Sequence, residues 1–140
     1  MAKQTSAAAD LLGEADALNL RAIDLYQRGD FAEAERLIRL SLDIREEALG
    51  PDHPEVATSL NNLAELQASL ARFLEAETLC KRALSIRERV LGPAHPDVAA
   101  SINNLGGLYF RQSRYEEAEP FFQRSLTLRE ALLGADHPAS

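Results

Sequence analysis

Three histidines, His53, His95 and His137, stand 42 residues apart in three spellings of one phrase: LGPDHP (49–54), LGPAHP (91–96) and LGADHP (133–138). Imidazole at a regular spacing invites two chemistries, metal binding and proton transfer near neutral pH. The spacing argues against both. A zinc-like ion holds nitrogen ligands at about 2.0–2.1 Å, whereas side chains repeated on successive packed helical units lie about 10 Å apart. There is no HExxH, no CxxC and no His pair at i, i+4, so no metal-ligand pattern is present. A nucleotide-cradling GxxxxGK[ST] or GxGxxG and a nucleophile elbow are also missing. The single cysteine, Cys80, excludes an internal disulfide and fits a reducing compartment. It takes a core position and is expected to be inert. No catalysis, metal or cofactor is expected.

The His phrase reads instead as a boundary between helices. Gly50 is placed to end one helix in a left-handed conformation, and Pro51 prevents its continuation. Pro54 suits the first turn of the next helix, where its missing N–H is no loss. His53 stands at or near the N-cap, and Glu55 faces the positive end of the dipole.

Two further ladders share the interval. Asn19, Asn61 and Asn103 form one, doubled by Asn62 and Asn104 in the later units. Asparagine is a poor interior helix residue because its amide competes for backbone groups, so its recurrence wants an explanation. Arg45, Arg87 and Arg129, each followed by Glu, form the other. They are expected to be a solvated ion-pair ladder.

Elements that position these residues follow from the apolar spacing. A period of 42 lies in the range of solenoids, whose units pack on their neighbours. Val56, Leu60, Leu63, Ala64 and Leu66 form one helical stripe; Phe73, Ala76, Leu79, Cys80, Ala83, Leu84 and Ile86 form a second. The breaks between them fall at Gly29-Asp30, Ala71-Arg72 and Ser113-Arg114. In the first, Asp30 and Glu33 suggest a capping box. No segment alternates like a strand. The expectation is helices at about 7–28, 31–48, 54–70, 73–90, 96–112 and 115–132, within the boundary error of such readings. The chain is thus one array: unit 1 over 7–48, unit 2 over 54–90, unit 3 over 96–132, and the truncated start of a fourth over 133–140.

Composition narrows the partner. The 140 residues carry a net charge of −7, which argues against nucleic acid. No run of 18 apolar residues suggests a membrane span, and the N-terminus does not read as a signal peptide. A cytoplasmic location is expected.

The sequence resembles tetratricopeptide repeats, more narrowly the 42-residue variety of kinesin light chains and their bacterial relatives. The residues that carry this are LGPDHPEVATSLNNLA (49–64), RFLEAETLCKRALSIRE (72–88), LGPAHPDVAASINNLGGLY (91–109) and RYEEAEPFFQRSLTLRE (114–130). The likeness runs from about Ala15. It implies an all-α, right-handed solenoid of three tandem helix-turn-helix repeats, about six helices. Small residues, Ala22, Ala64 and Gly106 on first helices and Ala34, Ala76 and Ala118 on second ones, would let the two approach. Departures are Leu25 and Gln67 where Tyr109 keeps the usual aromatic, and Pro120 inside a helix.

The resemblance also implies a function. First helices would line a concave groove holding a peptide or helical segment of another protein. The groove candidates are Asn19, Ile23, Tyr26, Asn61, Asn62, Glu65, Asn103, Asn104, Phe110 and Arg111, with Asp16 beside them. The Asn amides either hydrogen-bond an extended peptide backbone or bond between repeats, while Tyr26 and Phe110 would be apolar anchors. Asp16 and Glu65 outweigh Arg111, so a neutral or mildly basic segment fits better than an acidic one or a carboxylate clamp. The alternative is a structural part: an oligomerisation scaffold, or a sensor segment of a larger signalling protein. Phe122, Leu126 and Leu132, with Ser125, would then lose a covering neighbour and drive self-association into a homo-oligomer.

Overall fold

The computed structural model describes the backbone of residues 2–136 and the side chains of residues 7–134. It contains six helices: α1 (Ala2–Gln27), α2 (Phe31–Leu49), α3 (Pro54–Ser69), α4 (Phe73–Leu91), α5 (Pro96–Arg111) and α6 (Tyr115–Asp136). Consecutive helices pair as α1/α2, α3/α4 and α5/α6, and α2 meets α3 as α4 meets α5. The array is therefore an all-α solenoid. The interior boundaries agree with the sequence expectation to one residue. The ends do not: α1 begins earlier, and α6 continues to Asp136, through Gly134, where the third phrase was expected to stop it. His137 lies outside the described residues.

Both interior phrases punctuate helices, with one correction. Gly50 and Gly92 have φ of +92° and +88°, but ψ of 157° and 158°. They lie beyond the left-handed helical region, in the mirror image of extended backbone, which only glycine enters readily. The caps follow as expected. His53 Nδ1 accepts the Glu55 amide at 3.1 Å and His95 Nδ1 the Asp97 amide at 3.0 Å. Each bond uses an imidazole with a bare Nδ1 to satisfy an orphan helix donor.

Within the units the turns are of one kind. Asp30, Arg72 and Arg114 donate their amides to Leu25, Gln67 and Tyr109 at 2.9, 2.8 and 2.9 Å. This six-to-one bond demands positive φ at the preceding residue, which Gly29 supplies at +84°. Ala71 and Ser113 adopt +62° and +61° despite their side chains. Asp30 does not cap α2 with its side chain; Glu33 instead takes Arg36 in two hydrogen bonds.

Two cores weld neighbouring units. One gathers Ala22, Leu37, Ile38, Val56, Leu60, Leu63 and Ile86; the other Ala76, Leu84, Val98, Ile102, Leu105 and Ala118. The small residues do set the approach: a Cβ at Gly106 would lie 2.9 Å from the Phe122 ring. Ser125 is buried and donates to the Ala99 carbonyl at 3.0 Å, so it is covered within its own unit, contrary to the sequence expectation.

Polar locks join the units as well. Arg45 and Arg87 are only 7% and 8% exposed, not the solvated ladder that was expected. Arg45 donates to Ser59 and, at 2.8 Å, to Asp16. Arg87 donates to Ser101 at 2.8 Å and to the Asp97 carbonyl at 3.2 Å. Burial holds the Arg87 pKa below its ordinary value, opposed by Asp97. On the other side of each junction, Glu35 receives Arg72 at 2.8 Å and Gln67 at 3.4 Å. One unit on, Glu77 receives Tyr109 at 2.6 Å and Arg114 at 3.5 Å. Gln67 thus replaces the aromatic ring of Tyr109 but keeps its polar reach.

Candidate functional site

The inner surface is formed by α1, α3 and α5. Its larger cleft, of about 440 Å³, lies between α3 and α5. Ala64, Ala68, Cys80 and Leu108, all at most 5% exposed, make the floor. Asn61, Asn62, Asn103 and Gly107 are half-buried around it, while Glu65, Asn104 and Arg111 are exposed at its rim. A smaller cleft, of about 220 Å³, lies between α1 and α3 and is lined by Ile23, Tyr26, Gln27, Ile38, Asn62 and Glu65. Asn62 and Glu65 belong to both, so the two form one groove along the array.

The asparagines do not behave alike. Asn19 is 8% exposed, and its Oδ1 accepts Asn62 Nδ2 at 3.2 Å across the first junction. Asn61 and Asn104 are the 42-residue equivalents of that pair, yet Asn61 Oδ1 is buried without a hydrogen-bond partner. An unmet buried carbonyl costs about 1–3 kcal/mol. The ladder is therefore partly an inter-repeat bond, at Asn19, and partly an unsatisfied site, at Asn61.

Other expected residues divide too. Ile23 is 38% exposed in the α1/α3 cleft. Tyr26 lines it with its ring against Phe31, and its hydroxyl is hydrogen-bonded to Ser69 at 2.6 Å. Phe110 does not line the inner groove. It packs edge-on against Tyr115 at 5.1 Å and near Phe122 at 6.3 Å, between α5 and α6 at the far end. Leu126 is 52% exposed on that end, while Leu132 is half-buried and its neighbour Leu133 is the exposed one, at 58%.

Groove charge is nearly cancelled. Arg111 pairs with Glu65 at 3.3 Å, and Asp16 is held by Arg45. The Cys80 thiol is pushed up to about 11, by burial first and then by Glu65 and Glu77, so it stays protonated and unreactive at neutral pH. Among the described residues, no group of three His, Cys, Asp or Glu is placed to hold a metal ion. No helix among them is long and apolar enough to cross a membrane. The sequence missed Arg45, Arg87 and Gln67 as structural residues. The 42-residue recurrence of Ser59 with Ser101, for the arginines, and of Glu35 with Glu77 and Arg72 with Arg114, for Gln67, was the available signal.

A tetratricopeptide repeat profile matches residues 13–77, 62–131 and 97–140. Among solved structures, BtubC (BKLC) from P. vanneervenii superposes with a TM-score of 0.78 at 29% identity, over 86% of this chain and 48% of that one. The nearly identical TPR-like repeats of a kinesin light chain candidate from Podosopora anserina give 0.74 at 21%, over 84% and 56%. The N-terminal domain of stress-induced protein-1 from C. elegans gives 0.65 at 19%, over 84% and 86%. The chain thus spans about half the length of the first two. No curated protein sequence gave a significant match. The repeated hairpins, their 42-residue period and the profile that covers nearly all of them agree: the chain belongs to the tetratricopeptide repeat family, with repeats of the kinesin light chain-like type that generally serve as non-catalytic scaffolds for protein–protein interaction.

Proposed function

We propose that the inner groove binds an extended segment of another protein, seated chiefly between α3 and α5. The observation that carries this is the unmet Asn61 carbonyl in a cleft framed by three further asparagine amides. Amides present a donor and an acceptor at each side chain, which suits the alternating N–H and C=O of an extended backbone. The buried floor of Ala64, Ala68 and Leu108 suits small or aliphatic side chains. With Glu65 neutralised by Arg111, the preferred segment is neutral to mildly basic.

Gly107 provides the test. Nothing lies within 4 Å of a Cβ added there, so Gly107→Leu fills the cleft while improving helix propensity. Neutral, basic and acidic extended peptides would be arrayed against wild type, Gly107→Leu and the Asn61→Ala/Asn103→Ala double variant. Neutral and basic peptides are expected to bind wild type, and both variants to lose them while keeping their helical melting. Undiminished binding to Gly107→Leu, or a preference for acidic peptides at low salt, would remove the proposal.

A further inference from the structure

The two junctions between units share one register, yet they are not fastened alike. The bonds at the two ends of the helices repeat. Arg45 reaches Ser59 at the first junction and Arg87 reaches Ser101 at the second, with Thr58 at 3.4 Å where Asp16 assists Arg45. Glu35 takes Arg72 at the first, and Glu77 takes Arg114 at the second. The bonds along the flanks of the helices do not repeat. On the groove side of the first junction, Asn62 donates to Asn19 and the Tyr26 hydroxyl is bonded to Ser69. Their equivalents 42 residues on are Asn104 with Asn61 and Ala68 with Arg111. Asn61 Oδ1 is without a partner, and an alanine has no polar side chain to offer.

The outer flank differs in the same way. At the first junction Arg39 is bound to Glu75, and Arg82 to Glu46 at 3.1 Å. One unit on, Lys81 turns to Glu77 and Glu117 to Arg114, each within its own unit, and Arg124 stands 3.7 Å from Glu88. That pair and Glu65 with Arg111 at 3.3 Å are exposed ion pairs, which contribute little. Side-chain size follows the same division. Tyr26 and Ile38 line the first junction beneath the groove, while Ala68 and Cys80 hold those places at the second. A cleft opens on each flank of the second junction: about 440 Å³ on the groove side, and about 330 Å³ on the outer side over Leu84, Leu105 and Phe121.

We infer that the second junction is the joint of the array, where unit 3 rocks against unit 2 while units 1 and 2 move as one body. The bonds of Glu77 and Arg87, near opposite ends of α4, set an axis along the helices. Rocking about that axis keeps them and lets the apolar contacts slide, because hydrophobic burial is non-directional and a hydrogen bond is not. Width is exchanged between the two clefts, one narrowing as the other widens. Closure on the groove side carries Asn104 toward the unmet Asn61 carbonyl, and opening leaves that carbonyl to a bound segment. This use of the joint rests on the groove being a binding site; the joint itself does not. Both junctions lie inside the array.

Paired nitroxide labels test the joint without any ligand. Ala32, Leu74 and Glu116 are exposed and register-equivalent on α2, α4 and α6. Labels on Ala32→Cys and Leu74→Cys read the first junction, and labels on Leu74→Cys and Glu116→Cys the second; the buried Cys80 is left in place. Hinge motions take microseconds to milliseconds, and freezing preserves their spread as a distance distribution in electron paramagnetic resonance. The distribution is expected to be broader across the second junction than across the first. Ala68→Tyr with Arg111→Ser rebuilds the bond of Tyr26 with Ser69 one unit on, and Phe73 stands there where Phe31 supports the Tyr26 ring. It is expected to narrow the second distribution to the width of the first, whereas Tyr26→Ala is expected to broaden the first to the width of the second. Far-UV circular dichroism checks that the variants stay helical. Equal widths in wild type, or a broader first junction, would overturn the inference. So would a helical rebuilt variant whose second junction stays broad, or a Tyr26→Ala variant whose first junction stays narrow. If the rebuilt variant loses helix, the wild-type comparison and Tyr26→Ala decide. Peptide binding plays no part in these readings, so failure of the joint and failure of the groove are separate results.

Discussion

Ala71→Gly should make this protein more stable, and Gly29→Ala less, although both residues are exposed and neither is in the core. The two occupy equivalent turn positions, one unit apart, with φ of +62° and +84°. A residue with a Cβ in the left-handed region is disfavoured by about 1–2 kcal/mol, while glycine there gives back about 0.4–1 kcal/mol through a freer unfolded chain. The difference is a net gain of about 0.5–1 kcal/mol for Ala71→Gly and a similar loss for Gly29→Ala. No packing term confuses either sign. The Ala71 methyl is exposed, and no atom lies within 4 Å of a Cβ at Gly29. Urea titration followed by helical ellipticity reads the result as a shifted midpoint at constant slope. In thermal melts the shift should be about 2–3 °C. Ser113→Gly, at φ +61° in the third unit, should act like Ala71→Gly and add to it within about 0.5 kcal/mol, since the turns share no partners. If Ala71→Gly lowers the midpoint, or if both substitutions move it the same way, backbone strain does not govern these turns and the reasoning fails.

Adjacent glycines on α5 should respond oppositely to alanine. Gly107→Ala stabilises by about 0.5–1 kcal/mol through helix propensity. Gly106→Ala, whose Cβ would press on the Phe122 ring and lie 3.2 Å from Phe121 Cβ, should come out at least about 1 kcal/mol less stable than Gly107→Ala in melting experiments. Replacing His53 with Ala removes the side-chain cap of α3 and should cost about 1 kcal/mol, whereas His53→Asn should keep most of it; chemical denaturation distinguishes them. Acid stability should depend on Glu77. Its pKa is lowered below 4.5 by the Tyr109 hydrogen bond first, then by Lys81 and Arg114, against a rise from burial. A depressed folded value means that its contribution is present above about 4.5 and is lost as pH falls through the folded pKa. Tyr109→Phe should therefore bring the Glu77 titration, followed by carboxyl NMR, back up and move the acid unfolding midpoint to higher pH. An unchanged Glu77 titration would contradict the hydrogen bond's leading part.

Six helices, their interior ends and the place of every turn were legible in one sequence because the information is local. Apolar stripes repeat within a few residues, and glycine and proline restrict the backbone wherever they stand. The Gly50 and Gly92 phrases could be read as stops from their own residues, although the ψ that makes glycine mandatory came from the structure. At Gly134 the phrase carries Ala135 where Pro51 and Pro93 stand, and α6 runs through it to Asp136, so the glycine without its proline does not stop a helix.

Side-chain destinations were not local. Phe110 and Arg111 are neighbours in sequence, but at about 100° per residue one turns to the end of the array and the other to the groove. Arg45 and Arg87 read as surface charges because their partners, Ser59 and Ser101, lie on the next unit. Asn19 looked like a ligand contact until packing brought Asn62 within reach. By itself the sequence determined the repeat, the helices and the family, since period and punctuation are properties of a chain segment. Only the tertiary structure decided which polar groups are spent holding units together and which carbonyl is left unmet, because those depend on how far one helix is rotated against the next.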